Sequence, residues 1–566
     1  MKNTISQIAR ILAPIVLVFS LAATGFAAAP GITAAGGAVG TFNLTAQPGY
    51  LNQPDGAAVY SWGYGCNGAA TFATTLGSAS FPGQNCPTMQ VPGPTLVVTE
   101  GTTVTIILTN NLPAAAGNTS ILFPGLNATA SCSSSPVVGV QGLLTCEAAP
   151  GGSVTYTLTN VTPGTHAYYS GTQGDLQIEM GLYGAIIVLP TGGGPTNCNT
   201  TVTNLYGKTD YGSANSIPGF PEQDFRLARA AYDHPASCYD REYLFQWAEV
   251  DSRIHKQAEA QAAALVGCTA GAAGCSLNVQ TEPYHPAYFL INGRSMPDLM
   301  DPNYASEYPH QPYNGNPHMH PGELTLVRTI GQGRWQHPFH EHANHVRILA
   351  RDGNLVLSSG TVNYGGTPAP GLAGLLMFNT DTTPGEAFDG IFYFTGRGLN
   401  WDPYGHHPAP NRPGDPLDVN ATLSCSPDAN GYNTLNGTAV LNYYEWCQDH
   451  NKPVQVNPFG DVASGGPATL PDPNILTNGQ WYGGTPYLGP DASLRATAPA
   501  CATTPNSGCT TLNPANTQAN PANERGWAFM WHSHNEREIT TNNVFPGGML
   551  MMMLVDSREF AIDESL

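Results

Sequence analysis

Short apolar runs that alternate with polar residues, each closed by Gly, Pro or Asn, recur along this chain and favour strands over any other element. LVVTEGTTVTIIL (Leu96–Leu108) and the run Val154–Leu158 show the pattern. In extended backbone, successive side chains face opposite sides, so alternation marks one buried and one wet face. Glycine (64) and proline (48) together make up about a fifth of the 566 residues, a supply of turns that would break most helices. The expected fold is all-β, two to three Greek-key β-sandwich domains. Trp247–Val266, WAEVDSRIHKQAEAQAAALV, is the exception, and its residues predict a short helix.

Charge removes one class of function. The chain carries 40 acidic and 20 basic residues, a formal net charge of −20, so it offers no basic surface to a phosphate backbone and no nucleic-acid partner is expected. The first 29 residues hold Lys2 and Arg10, an apolar run from Ile11 to Ala23, and small residues at Ala27-Ala28-Ala29. They read as a secretory signal peptide, leaving no membrane span in the mature chain, which would be exported to the periplasm or beyond the cell. Twelve cysteines in an exported chain suggest disulfides. Proximity alone pairs Cys66 with Cys86, Cys132 with Cys146, Cys198 with Cys238, Cys268 with Cys275, Cys425 with Cys447, and Cys501 with Cys509.

Two histidine pairs carry the chemistry. In HPFHEH, His340 and His342 share a face if the segment is extended, and in WHSH the same holds for His532 and His534, with Ser533 on the other side. Imidazoles converging from two such faces can hold Cu(II), Cu(I) or Zn(II). His318-Met319-His320 is a third same-face pair without a partner motif. His406 and His407 are adjacent, so in a strand they would diverge. His166 reads as an ordinary loop or strand histidine.

Several stretches resemble multicopper oxidases and their cupredoxin-like domains. VPGPTLVVTEGTTVTIILTNNLP (Val91–Pro113) and GLYGAIIVLP (Gly181–Pro190) are similar to the first and last strands of a first domain. YFLINGRSMPD (Tyr288–Asp298) is similar to the opening of a second. Gly322–Gly353 carries HPFHEH, which resembles the family's HPxHxH motif, and Trp527–Leu554 resembles the His-Cys-His strand of the last domain. The resemblance assigns His340, His342, His532 and His534 to the oxygen-reducing cluster and His337 to the electron-accepting type 1 copper.

The departures are equally informative. The family's thiolate ligand is here Ser533, its next histidine falls on Glu538, and Met549 reaches the axial position only through an insertion. A hydroxyl cannot replace the soft thiolate, so the type 1 site is expected to be absent. The first-domain histidine pairs fall on Leu122 and Pro124 and on Tyr169 and Gly171.

The expected organisation is therefore a signal peptide over 1–29, a cupredoxin-like domain over 41–190, a linker over 191–240, a second domain over 241–410 with HPFHEH, and a loop-rich third over 411–566 with HSH. The expected function is an exported copper-binding member of that family, an oxidoreductase with fewer ions than a full oxidase: one ion held by His340, His342, His532 and His534 supports mononuclear redox activity, with Glu536 or Glu538 as a nearby carboxylate. A catalytically silent scaffold acting as a structural or interaction protein at the cell surface is the alternative. A third reading has His166, or His318 and His320, completing a cluster in another subunit.

Overall fold

In a computed structural model, the described residues are 29–35, 39–132, 139–195, 198, 223–320, 322–364, 366–394, 526–556 and the isolated positions 426, 427, 433, 447 and 562. Residues up to 28, expected to belong to a signal peptide, together with His406, His407 and both cysteines of the Cys501 pair, lie outside them. The architecture is all-β and cupredoxin-like: among the described residues, two sandwiches, each of two sheets, carry nearly all of the strands.

The first sandwich packs a sheet of Gly164–Tyr169, Tyr183–Leu189, Leu96–Thr99, Ile32–Thr33 and Thr71–Phe72 against a second sheet. That second sheet runs Ala58–Cys66, Val39–Asn52, Thr103–Asn110, Ser153–Leu158, Ala128–Ser131. Alternation decides what lies between them. Along Thr103–Asn110 every second residue is buried, so Val104, Ile106 and Leu108 meet Ile186 and Val188 from the facing sheet. Trp62, Tyr64 and Tyr156 fill the same core.

The second sandwich has a seven-stranded sheet containing Tyr288–Ile291, Arg241–Val250, Leu324–Gly331, Ala387–Tyr393 and Val346–Arg351. Facing it is a five-stranded sheet in the order His318–Met319, Leu550–Asp556, Gly526–Ser533, Pro338–Glu341, Asn379–Asp381. Aromatic and sulfur side chains fill the space between: Phe245, Trp247, Phe339, Phe392, Phe529, Trp531, Met551 and Met553.

The two histidine motifs thus lie on neighbouring strands of one sheet. The division at residue 410 does not separate them: Pro338–Glu341 pairs antiparallel with Gly526–Ser533, with Phe339 opposite Ser533, His340 opposite His532 and Glu341 opposite Trp531. Burial of both strands against one core outweighs their distance along the chain.

Arg241–Val250 and Leu324–Gly331 are buried along their whole length because they face their own core on one side and the first sandwich on the other. Leu244, Ile330 and Ala387 meet Val97, Ala167, Ala185 and Ile187 across that junction. The helix starts later than its residues predict. It runs Ser252–Ala264, capped by the Asp251 carboxylate, which accepts from the Arg253 amide, while Trp247–Val250 finish the preceding strand. Disulfides join Cys66 to Cys86, Cys132 to Cys146, Cys198 to Cys238, and Cys268 to Cys275. Among the described residues, no helix is long and apolar enough to cross a membrane.

Candidate metal centre

The register sets the site. Because His340 and His532 are direct partners, the residues two along on each strand, His342 and His534, fall on the same face, and all four rings gather there. Ring centroids of His340 lie 4.7 Å from His342, 4.8 Å from His534 and 5.4 Å from His532. His342 and His532 point their Nε2 atoms at each other, 3.1 Å apart. One ring nitrogen from each of His340, His342 and His532 falls within 4.8 Å of the others. His534 stands exposed at the rim, whereas His340 and His532 are largely covered.

These residues fit a copper ion. Two metal–nitrogen bonds of about 2.0–2.1 Å at a tetrahedral angle separate their nitrogens by about 3.3 Å. The 3.1 Å between His342 and His532 is close to that spacing. His532 Nδ1 bonds to the Ser533 carbonyl at 2.7 Å, which fixes the proton there and leaves Nε2 with its lone pair facing the cluster. Burial, helped by the neighbouring His534, lowers the His532 pKa, so the neutral form a metal needs is the favoured one. The Trp531 indole donates to the His342 carbonyl at 3.1 Å and ties the two motifs together from behind.

His337 is not in this cluster. Its Nε2 meets Glu249 Oε2 at 2.8 Å and its Nδ1 meets Glu538 Oε2 at 2.9 Å, so both ring nitrogens donate to carboxylates and neither has a lone pair for a metal. The two carboxylates hold its pKa up, to about 9, against the opposing effect of burial. Ser533 also donates to Glu538 Oε2. The three positions that the family resemblance gives to a type 1 copper have therefore come together as a hydrogen-bonded ionic set. Glu538 is fully occupied in it, and Glu536 is exposed.

Other expected positions are accounted for. Leu122 pairs with Tyr169 in an isolated bridge, so the first-domain ligand positions adjoin in space but carry no nitrogen ligand. His166, His318 and His320 are buried within their own chain at 2%, 3% and 4% exposure, so none presents a surface ligand to another subunit. Met549, Met551 and Met553 are core residues.

Sequence reasoning missed Glu249, because it sits in a stretch that reads as helix. The run REYLFQWAEV, rich in aromatic and apolar residues, was the signal that could have placed it on a strand.

Comparison with known proteins gives the site a context. Residues 86–192 match the family model described as multicopper oxidase. An L-ascorbate oxidase of Brassica rapa subsp. pekinensis is 36% identical over 99 residues, which are 18% of this chain and 16% of that protein. Among solved structures, a blue copper oxidase from Nitrosomonas europaea is similar at 14% identity and a TM-score of 0.40, over 91% of this chain and 85% of the other. A multicopper oxidase named mgLAC is similar at 14% identity and a TM-score of 0.41, over 93% and 88% of the two chains.

Proposed function

We propose that this chain, whose residues 86–192 match the multicopper oxidase family model and so point to copper as the metal, is an exported copper-binding protein with a reduced metal complement. One ion is held by His340, His342, His532 and His534. The observation that carries this reading is the convergence of two histidine pairs from neighbouring strands, with Nε2 atoms 3.1 Å apart. A bound copper supplies one-electron redox chemistry at that point. The residues around it supply the rest: the Ser533 carbonyl sets the His532 tautomer, the Trp531 indole anchors His342, and exposed His534 leaves an approach from solvent.

The fewer-ion reading is supported by Leu122, Pro124, Tyr169 and Gly171 at the first-domain positions and by the ionic set around His337. The disulfides favour an oxidising compartment, periplasmic or extracellular.

Elemental analysis after copper loading tests the proposal, comparing the protein with a His532→Ala, His534→Ala double variant. About one copper per chain, lost in the variant, is the expected result. A protein that retains no copper would overturn the reading in favour of a catalytically silent scaffold.

A further inference from the structure

A cation buried between two carboxylates needs a reason. Glu249, His337, Ser533 and Glu538 are all at most 2% exposed. Buried ion sets of this kind add little net stability over well-packed apolar side chains, because desolvation offsets their attraction. What they add is direction, since each bond fixes an angle as well as a distance.

The direction here is informative. The histidine-bearing strands are paired as far as Phe339 and Ser533, and the last bond between them runs from the His534 amide to the Pro338 carbonyl at 2.8 Å. Beyond that bond the ladder stops. The next side chain on one side is His337, and the turn leaving the other strand brings back Glu538. Their 2.9 Å contact closes the open end.

The same carboxylate takes the Ser533 hydroxyl, and Asn535 Nδ2 reaches its other oxygen at 2.9 Å. Ser533 lies between His532 and His534, so gripping its hydroxyl on one face of the strand sets both imidazoles on the other.

The far end of the grip is anchored too. Glu249 Oε1 accepts from the amides of Arg334 and Trp335 at 2.7 and 2.9 Å and from the Tyr284 hydroxyl at 3.0 Å. Tyr284 also reaches Glu179 of the first sandwich at 2.6 Å. His337 itself is fixed by Thr382, which bonds both its amide and its carbonyl.

We propose that His337, held as a cation between Glu249 and Glu538, is the positioning residue of the metal centre: it joins the two histidine-bearing strands past the end of their ladder and holds the four imidazoles convergent before any ion arrives. This rests on the copper reading above. His337 touches neither the ion nor a substrate. It acts through Glu538 and Ser533.

The test uses the full chain with His337→Gln, Glu538→Gln and the double variant. Copper(II) affinity is measured by chelator competition, and the copper environment by electron paramagnetic resonance. Each single variant should lose roughly 10- to 100-fold in affinity with an altered hyperfine pattern. The double should be no worse than the weaker single, because both act through one contact. Folded single variants with unchanged affinity and spectrum would overturn the proposal.

If the variants do not fold, the unaltered protein decides. An ordinary histidine site holds its metal as firmly or more firmly as pH rises, since protons stop competing. Positioning by His337 predicts a spectral change and weaker binding as pH passes about 9, where that ring, held against Glu249 and Glu538 with Tyr284 and Glu179 behind Glu249, loses its charge. A spectrum constant over that range would overturn it.

A protein that binds no copper at all removes the metal reading instead. Positioning is then read from amide exchange at His532, Ser533 and His534, expected to be faster in the single variants. Equal rates would overturn it.

Discussion

At the scale of single residues, His337 gives this protein an unusual sensitivity to base. Its folded-state pKa is raised to about 9 from an ordinary value near 6.5, so the folded state binds the proton more tightly than the unfolded chain. The stability from that proton is fully present below about 6.5 and is lost as pH rises through about 9. The amount is on the order of 3 kcal/mol. Denaturant midpoints measured from pH 6 to 10 should fall across that window, and the fall should vanish in His337→Gln. The histidine spacing was legible at this scale: two His-x-His pairs, each sharing a face, follow from strand geometry alone. The partner Glu249 was not, because nothing in local spacing says which carboxylate a distant fold will press against a ring.

At the scale of elements, alternation predicted strands such as Thr103–Asn110 and Ser153–Leu158, and it failed where a strand is covered on both sides. Arg241–Val250 has no polar face to display, so its end, Trp247–Val250, merged with the helical run that follows. The apolar strand Leu550–Asp556 turns Met551 and Met553 into the core. Met551 is fully buried opposite Trp531, the residue that anchors His342. Met551→Ala should cost about 2–5 kcal/mol in denaturant unfolding, the range for removing a large core side chain without collapse of the space it leaves. A change below about 0.5 kcal/mol would mean that this strand is not packed as described.

At the scale of the whole molecule, the two sandwiches are joined by apolar contact and by a buried polar knot. Asp389 of the second sandwich accepts from the Thr165 hydroxyl of the first at 2.6 Å, while Arg328, fully buried, lies 3.1 Å from that hydroxyl and 2.9 Å from Glu242. Asp389→Ala strands a buried guanidinium beside half its charge partners and should cost about 3–5 kcal/mol, seen as a lower thermal midpoint. His166 lies next to Thr165, and burial lowers its pKa even though Asp389 and Asp352 oppose the shift. Its folded state therefore resists protonation. Stability is present above about pH 6.5 and falls as pH drops below it, a loss that His166→Leu should flatten in the same unfolding measurement. The protein is thus expected to weaken from both sides of neutrality, through different histidines.

What the amino-acid sequence determined was local: strand periodicity, turn positions, and which histidines share a face. It also showed that Ser533 cannot serve as a thiolate. Only the tertiary structure decided that Pro338–Glu341 lies beside Gly526–Ser533, that His340 is opposite His532, and that His337 is gripped from both sides. The physical reason is that side-chain direction is set by neighbouring backbone dihedrals, whereas the pairing of strands remote in sequence is set by burying both against one common core.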